Sequence, residues 1–211
     1  MKIALINGSP KAKDSGSGHI LQGLKSFFDE SHSIFEYSFR KHQIDNDQMK
    51  EISQCEAIVF AFPLYVDGIP SHLLRCLIQL EEFFSATDKK DIRVYALVNC
   101  GFYEGQQNIL AINMIENWCE KSKLKWGQGI GIGGGGMLLS VKNVPLGHGP
   151  NKNLGEALKV VSNNILKGQS GENLFIKPNF PRLAYKLAGE RGWRQGIKAN
   201  GLKTKDLFRK K

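Results

Sequence analysis

No apolar run in this chain approaches the roughly 18 to 20 residues that a membrane-spanning helix needs. The opening run Met1–Ile6 stops at Asn7-Gly8, too early for the apolar region of a secretory signal. It reads as a strand, and the expected address is the cytoplasm. Cysteine is sparse. Cys55, Cys76, Cys100 and Cys119 stand far apart, with no C-x-x-C pair, so neither a zinc cradle nor an iron–sulfur cluster is expected and no metal ligand is assigned. Free thiols in a reducing compartment are the expectation. No internal repeat is apparent. The five histidines (His19, His32, His42, His72, His148) are scattered, and no Ser/His/Asp or Cys/His constellation suggests nucleophilic catalysis.

Excess charge is missing from most of the chain as well. Residues 1–176 hold 18 Lys/Arg and 18 Asp/Glu, so the whole formal charge of +9 comes from residues 177–211, with eleven cations against Glu190 and Asp206. The basic character therefore belongs to a tail and says nothing about the core. A hydrophobic content of 41 % and a charged content of 23 % exclude global disorder. At 211 residues, one well-buried domain is the expected scale.

What is present is an alternation of strand and helix, the pattern of a parallel sheet covered on both faces. Lys2–Ile6 reads as a strand, and the next helix sets Ile20, Leu21, Leu24, Phe27 and Phe28 on one face. Ser33–Phe39 is a second strand and Asp45–Ser53 a short helix. Glu56–Phe62 is near-continuously apolar, as a central parallel strand should be. Ser71 reads as the N-cap of a helix bearing Leu73, Leu74, Leu77 and Ile78. Ile92–Asn99 is a fourth strand, and Gln106–Lys121 a helix striped by Leu110, Met114, Ile115 and Trp118. Lys125–Ile132 is a fifth strand with Gly127, Gly129 and Gly131 on one face; Leu154–Leu166 is a fifth helix, ended by Gly168. Five β–α units in 168 residues fit a flavodoxin-like three-layer sandwich with a five-stranded parallel sheet. The expected division is a domain over 1–168 and a basic, helical C-terminal extension over 169–211.

In open parallel sheets ligands bind beyond the carboxyl ends of the strands. Three loops there carry suitable chemistry. Asn7–Gly18 is rich in serine and glycine and precedes a helix, which suits a phosphate, although the P-loop's Gly-Lys-Ser/Thr ending is absent. Phe62–Ser71 contains two prolines and Tyr65, a stiff wall for a flat ring. Asn99–Gln106 brackets Phe102-Tyr103 with glycines. A turn with an N-cap, and surface packing of the aromatics, remain the alternatives at each.

The runs Ile6-Asn-Gly-Ser-Pro-Lys11 and Phe62-Pro-Leu-Tyr-Val-Asp67, with the glycine-bracketed Phe102-Tyr103 loop, resemble the flavodoxin-like NAD(P)H-dependent FMN reductase and quinone reductase superfamily. The resemblance spans about residues 1–168 and implies an FMN site. Ser9, Lys11, Ser15 and Ser17 would hold the phosphate. Pro63, Leu64, Tyr65 and Val66 would flank the isoalloxazine, and Asn99, Gly101, Phe102 and Tyr103 would meet its other edge. It further implies NADPH or NADH as hydride donor, a small-molecule acceptor (a quinone, flavin or nitro compound), and a homodimer. Tyr65 and Tyr103 become candidates for orienting ring or acceptor. A flavodoxin-type electron carrier without NAD(P)H oxidation is the alternative, though such carriers are typically acidic.

Gly131-Ile-Gly-Gly-Gly-Gly136 fits G-x-G-x-x-G formally, but no helix follows it directly, so a loop is expected rather than a dinucleotide fingerprint. In the tail, Leu183, Tyr185 and Leu187 alternate with Arg182 and Lys186, and Trp193, Leu202, Leu207 and Phe208 add apolar anchors. Packing on this subunit or a dimer mate is expected, with weak contact to an anionic membrane surface as a second reading. No nucleic acid is expected, since no reading motif accompanies the charge.

Overall fold

The central strands are almost wholly apolar, so they must be covered on both faces, and two separate hydrophobic cores form around one sheet. The computed structural model describes residues 1–87 and 91–208; the side chains at 207 and 208, read as tail anchors, lie outside the described residues. The strands are β1 (Lys2–Asn7), β2 (Ser33–Ser38), β3 (Ala57–Pro63), β4 (Arg93–Asn99), β5 (Lys125–Ile132) and β6 (Leu174–Ile176). All pair in parallel, in the order β2-β1-β3-β4-β5-β6. The helices are α1 (Gly16–Lys25), α2 (Asn46–Ser53), α3 (Ser71–Ala86), α4 (Ile109–Lys121), α5 (Lys152–Leu166) and α6 (Arg182–Ala199). One core joins Ile6, Phe60 and Val98 to α2, α3 and α4; the other joins Leu5, Val59 and Leu97 to α1 and α5. Among the described residues no helix is long and apolar enough to cross a membrane.

Among the described residues the sheet has six strands, not five. Leu174–Ile176 lies within the stretch read as an extension, yet it pairs with Ile130–Ile132. Three residues bracketed by Asn173 and Lys177 are too short to show a period of two, which hid the strand. The edge is held further by Gly129 N–H donating to Asn173 Oδ1 (2.7 Å) and Gln128 Nε2 donating to Glu172 O (2.6 Å).

Other local readings need correcting. The N-cap of α3 is Pro70 rather than Ser71, which is the first helical residue. On α4 the inward stripe is Ala111, Ile112, Ile115, Trp118 and Cys119, whereas Leu110 and Met114 face outward; on α3, Leu74 and Ile78 do the same. The apolar arc of each helix is wider than its buried face, so periodicity alone could not choose the inner edge. The three glycines of β5 do not share one face. The register slips between Val94 and Tyr95, leaving Gly127 as an extra residue of a bulge. A Cβ on Gly127 would meet the Tyr95 ring at 2.5 Å, whereas one on Gly129 would meet Ile112 on the opposite face of the sheet.

Glycine is required where the carboxyl end of the sheet closes. A Cβ on Gly105 would lie 2.2 Å from Gly131 O and 2.5 Å from Ile176 O, backbone atoms that have no rotamer to escape into. Gly105→Ala should therefore destabilise the fold by about 2–3 kcal/mol through forced backbone separation. Urea unfolding against the wild type measures this, with Gly101→Ala, whose Cβ would meet nothing within 4 Å, as the neutral comparison.

Candidate functional site

The three loops marked in the sequence converge at the carboxyl edge of β1, β3 and β4, and Asn99 ties them together. Its buried side-chain oxygen accepts a hydrogen bond from Ser17 Oγ at 2.8 Å, and its backbone oxygen accepts one from Leu64 N–H at 2.8 Å. Loop one is thus anchored on loop three by a side chain, and loop two on loop three by the main chain.

Within the first loop the serines mostly serve the loop. Ser15 caps α1 by accepting from Gly18 N–H (3.0 Å) and from Asn7 Nδ2 (3.2 Å). Ser9 is buried; its N–H donates to Asn7 Oδ1 and its hydroxyl accepts from Lys11 N–H. Asn7, not singled out in the sequence, therefore holds the loop from both ends. The N–H groups of Gly16 and Ser17, in the first turn of α1, meet no acceptor among the described residues. A pocket at this loop is lined by Lys11, Lys13 and Lys142 against the one carboxylate of Asp14, with Ser15 and His19. Cationic side chains around an open helix start suit an anion. Burial, followed by the Lys142 charge, holds the His19 imidazole below its ordinary value of 6.5.

The second loop turns sharply. Tyr65 and Gly68 exchange backbone hydrogen bonds at 3.0 and 3.1 Å, and Val66 and Asp67 between them both take left-handed φ angles (47° and 59°). For the β-branched Val66 this conformation is costly, and it sets the side chain fully in solvent. Tyr65 is half-exposed, and in the third loop Phe102 is likewise exposed at 55 %. Gly101 has open space where a side chain would stand. Tyr65 and Val66 of the second loop and Phe102 of the third thus stand uncovered at the strand ends.

Tyr103 has a different environment. Its hydroxyl donates to Phe180 O at 2.6 Å, and its ring lies 5.6 Å from that of Tyr185, whose own hydroxyl donates to Gly101 O at 2.7 Å. Arg182 pairs with Glu104 at 3.2 Å and lies over the Tyr103 ring. The start of the tail is therefore built onto the third loop. Sequence spacing placed Tyr185 on an amphipathic stripe, and nothing in the pattern pointed to this contact. Cys100 is buried; burial raises its thiol above the ordinary value, as suits an inert neighbour rather than a redox group. The Gly131–Gly136 run leads into turns, not a helix. Its glycines admit backbone: a Cβ on Gly133 would lie 2.1 Å from Tyr103 O.

The fold and strand order are flavodoxin-like, an architecture whose ligands bind beyond the carboxyl ends of the strands, where β1, β3 and β4 end in this chain. Solved structures share this fold. A WrbA-like flavodoxin from Agrobacterium tumefaciens aligns with TM-score 0.53 at 10% identity, over 79% of this chain and 95% of that one. An NADPH-quinone reductase from P. pentosaceus aligns with TM-score 0.51 at 14% identity, over 67% and 95%. An azoreductase from Bacillus anthracis aligns with TM-score 0.50 at 12% identity, over 79% and 99%. The resemblance carried by the loops is borne out at the level of the fold. No family model matches the chain, and no curated protein does.

Two outcomes test the construction of this site. Ser17→Ala leaves the buried Asn99 oxygen without its donor and should cost about 1–2 kcal/mol in thermal or urea unfolding. The His19 imidazole takes up its proton less readily in the folded chain than in the unfolded one. Stability contributed by His19 is therefore complete above pH 6.5 and declines as pH falls below it. His19→Gln should flatten that acid-side slope in a series of unfolding curves.

Proposed function

We propose that this protein is an FMN-dependent oxidoreductase that passes reducing equivalents from NADPH or NADH to a small acceptor such as a quinone, a flavin or a nitro compound. The observation that carries the reading is the convergence of an anion-suited loop with two apolar, half-open loops on one buried asparagine, at the sheet edge where ligands of this fold class bind. The names of the structures sharing the fold, azoreductase and NADPH-quinone reductase among them, agree with it.

The residues present fit the cofactor. Lys11 and the N–H groups of Gly16 and Ser17, which meet no acceptor among the described residues, would offer cationic and neutral donors to a phosphate. Ser9, Ser15 and the Ser17 hydroxyl keep those donors in place from within. Pro63, Leu64, Tyr65 and Val66 would take one side of the ring system, and Asn99, Gly101 and Phe102 the other. When bound, FMN supplies the hydride and electron chemistry, and the protein supplies position and environment. Tyr65, half-exposed and with no hydrogen bond to its hydroxyl among the described residues, is suited to orient the ring or the acceptor. Tyr103 is a positioning residue, since its hydroxyl is held by Phe180 O and its ring stiffens the loop that carries Phe102. The large exposed apolar side chains at the mouth leave room for a flat acceptor and suit a homodimer that covers them.

An absorbance spectrum, repeated without oxygen after adding NADPH or NADH, tests the reading. Flavin bands that bleach with one nucleotide support it and identify the donor. A protein that takes up no added FMN overturns it; bound FMN that neither nucleotide reduces favours an electron carrier instead. Lys11→Ala should weaken FMN binding by about tenfold, the effect of losing one charge-assisted contact, as read by fluorescence titration.

A further inference from the structure

The tail helix presents a physical problem that the rest of the chain can answer. α6 runs for 18 residues and buries none of them. Its first turns are fastened by Arg182 to Glu104 and by Tyr185 to Gly101 O; beyond Tyr185 the side chains through Gly196 are exposed. Leu187 and Trp193 are 56% and 77% exposed. A helix in water is held mainly by the packing of one face, and Gly189, Gly192 and Gly196 lower the propensity of this one further. From Tyr185 to Ala199 it projects about 20 Å at the ordinary helical rise.

A second uncovered face lies beside the point where α6 leaves the body. Glu104, the partner of Arg182, immediately precedes the single turn at Gly105–Asn108 that leads into α4. α3 and α4 pack side by side, with Trp118 Nε1 donating to Leu77 O at 2.8 Å. Their outer surface exposes Leu74 and Ile78 from α3 with Ile109, Leu110 and Met114 from α4. The Met114 thioether sits beside Gly68, so this face continues into the Tyr65–Gly68 turn and its solvent-exposed Val66. The two helices carry Glu81, Glu82, Glu116 and Glu120 against Arg75 and Lys121, whereas α6 carries five Lys/Arg against Glu190. The apolar and charged features of the two surfaces are therefore complementary, yet within one chain neither covers the other.

We propose that α6 of one copy lies across the α3/α4 face of a second copy, so that two chains clasp each other reciprocally by their tails. A two-fold arrangement makes the contact twice over, which is how a self-complementary surface closes into a dimer. An anionic membrane would answer the charge of α6 but leave the acid-flanked apolar face of α3 and α4 bare. A second copy answers both. The inference does not rest on the flavin reading, and its test needs no cofactor.

The full-length chain is examined by sedimentation equilibrium alongside Trp193→Glu and Met114→Lys. Both substitutions fall on exposed side chains outside the assigned binding residues, and circular dichroism with urea unfolding checks that each variant stays folded. The wild type is expected to dimerise, and each substitution to raise the dissociation constant by about tenfold or more, as at a central interface residue. In a second arm, ¹⁴N- and ¹⁵N-labelled chains are mixed and coupled with a carbodiimide. Peptides joining a lysine of α6 in one label to a glutamate of α3 or α4 in the other are expected. A chain that stays monomeric at high micromolar concentration overturns the proposal. So does a dimer indifferent to both substitutions, or coupling found only within one label. A monomer that instead sediments with phosphatidylserine vesicles, and stops doing so in Trp193→Glu, overturns it in favour of a membrane surface.

Discussion

The candidate site depends on Asn99 more than on any other residue. It stands at the end of a central strand, buried, with Pro63 of β3 and Ile132 of β5 on either side in register. A buried amide group must find partners, because leaving one unmade costs more than making it gains. Asn99 meets that demand with Ser17 from the first loop, and its main-chain oxygen draws in Leu64 from the second. One obligation of a buried polar group thereby fixes the relative position of three loops that are otherwise far apart in sequence. Rigid scaffolding beneath, and exposed Val66 and Phe102 above, is the division of labour expected where loops carry function on a packed sheet.

The second constraint is close approach of backbone to backbone. At Gly105, Gly131 and Gly133 the chain comes nearer to its neighbours than any Cβ would allow. These approaches bring the third loop, the end of β5 and the short β6 into one layer, and β6 in turn delivers the tail to Tyr103 and Gly101. The glycine-rich stretch after β5 therefore serves packing at the site's margin. Its formal likeness to a dinucleotide fingerprint is a consequence of that density of glycine.

Much of this was legible because the long central strands and amphipathic helices obey a single period. Ala57–Pro63 and Arg93–Asn99 are so apolar that only a doubly covered parallel strand suits them. The loops were legible by position, at strand ends, more than by their residue types. What escaped reading has specific causes. β6 is three residues long and lacks a pattern. The bulge at Gly127 arises because the Tyr95 ring must lie under β5 with its hydroxyl donating to Asn164 O and Gln169 O, a tertiary demand invisible in local sequence. The serines of the first loop suit a phosphate by residue type, and local sequence does not show that Ser9 and Ser15 also hold the loop, since a hydroxyl next to a free backbone N–H readily serves as a cap.

The misread stripes on α3 and α4 and the unburied α6 have one physical origin. A helix whose apolar arc exceeds what its own sheet can cover has residues left over. On α3 and α4 these are Leu74, Ile78, Leu110 and Met114, and on α6 they are Leu183, Leu187 and Trp193. Isolated exposed apolar side chains are ordinary, but contiguous ones on paired helices are not. The charge distribution follows the same division, with the first 176 residues balanced and the last 35 carrying the whole excess of cations. Had that charge served solubility alone, nothing would confine it to the segment holding the uncovered apolar residues. Its coincidence with them is the composition that the proposed contact with the glutamate-bearing α3/α4 pair would use.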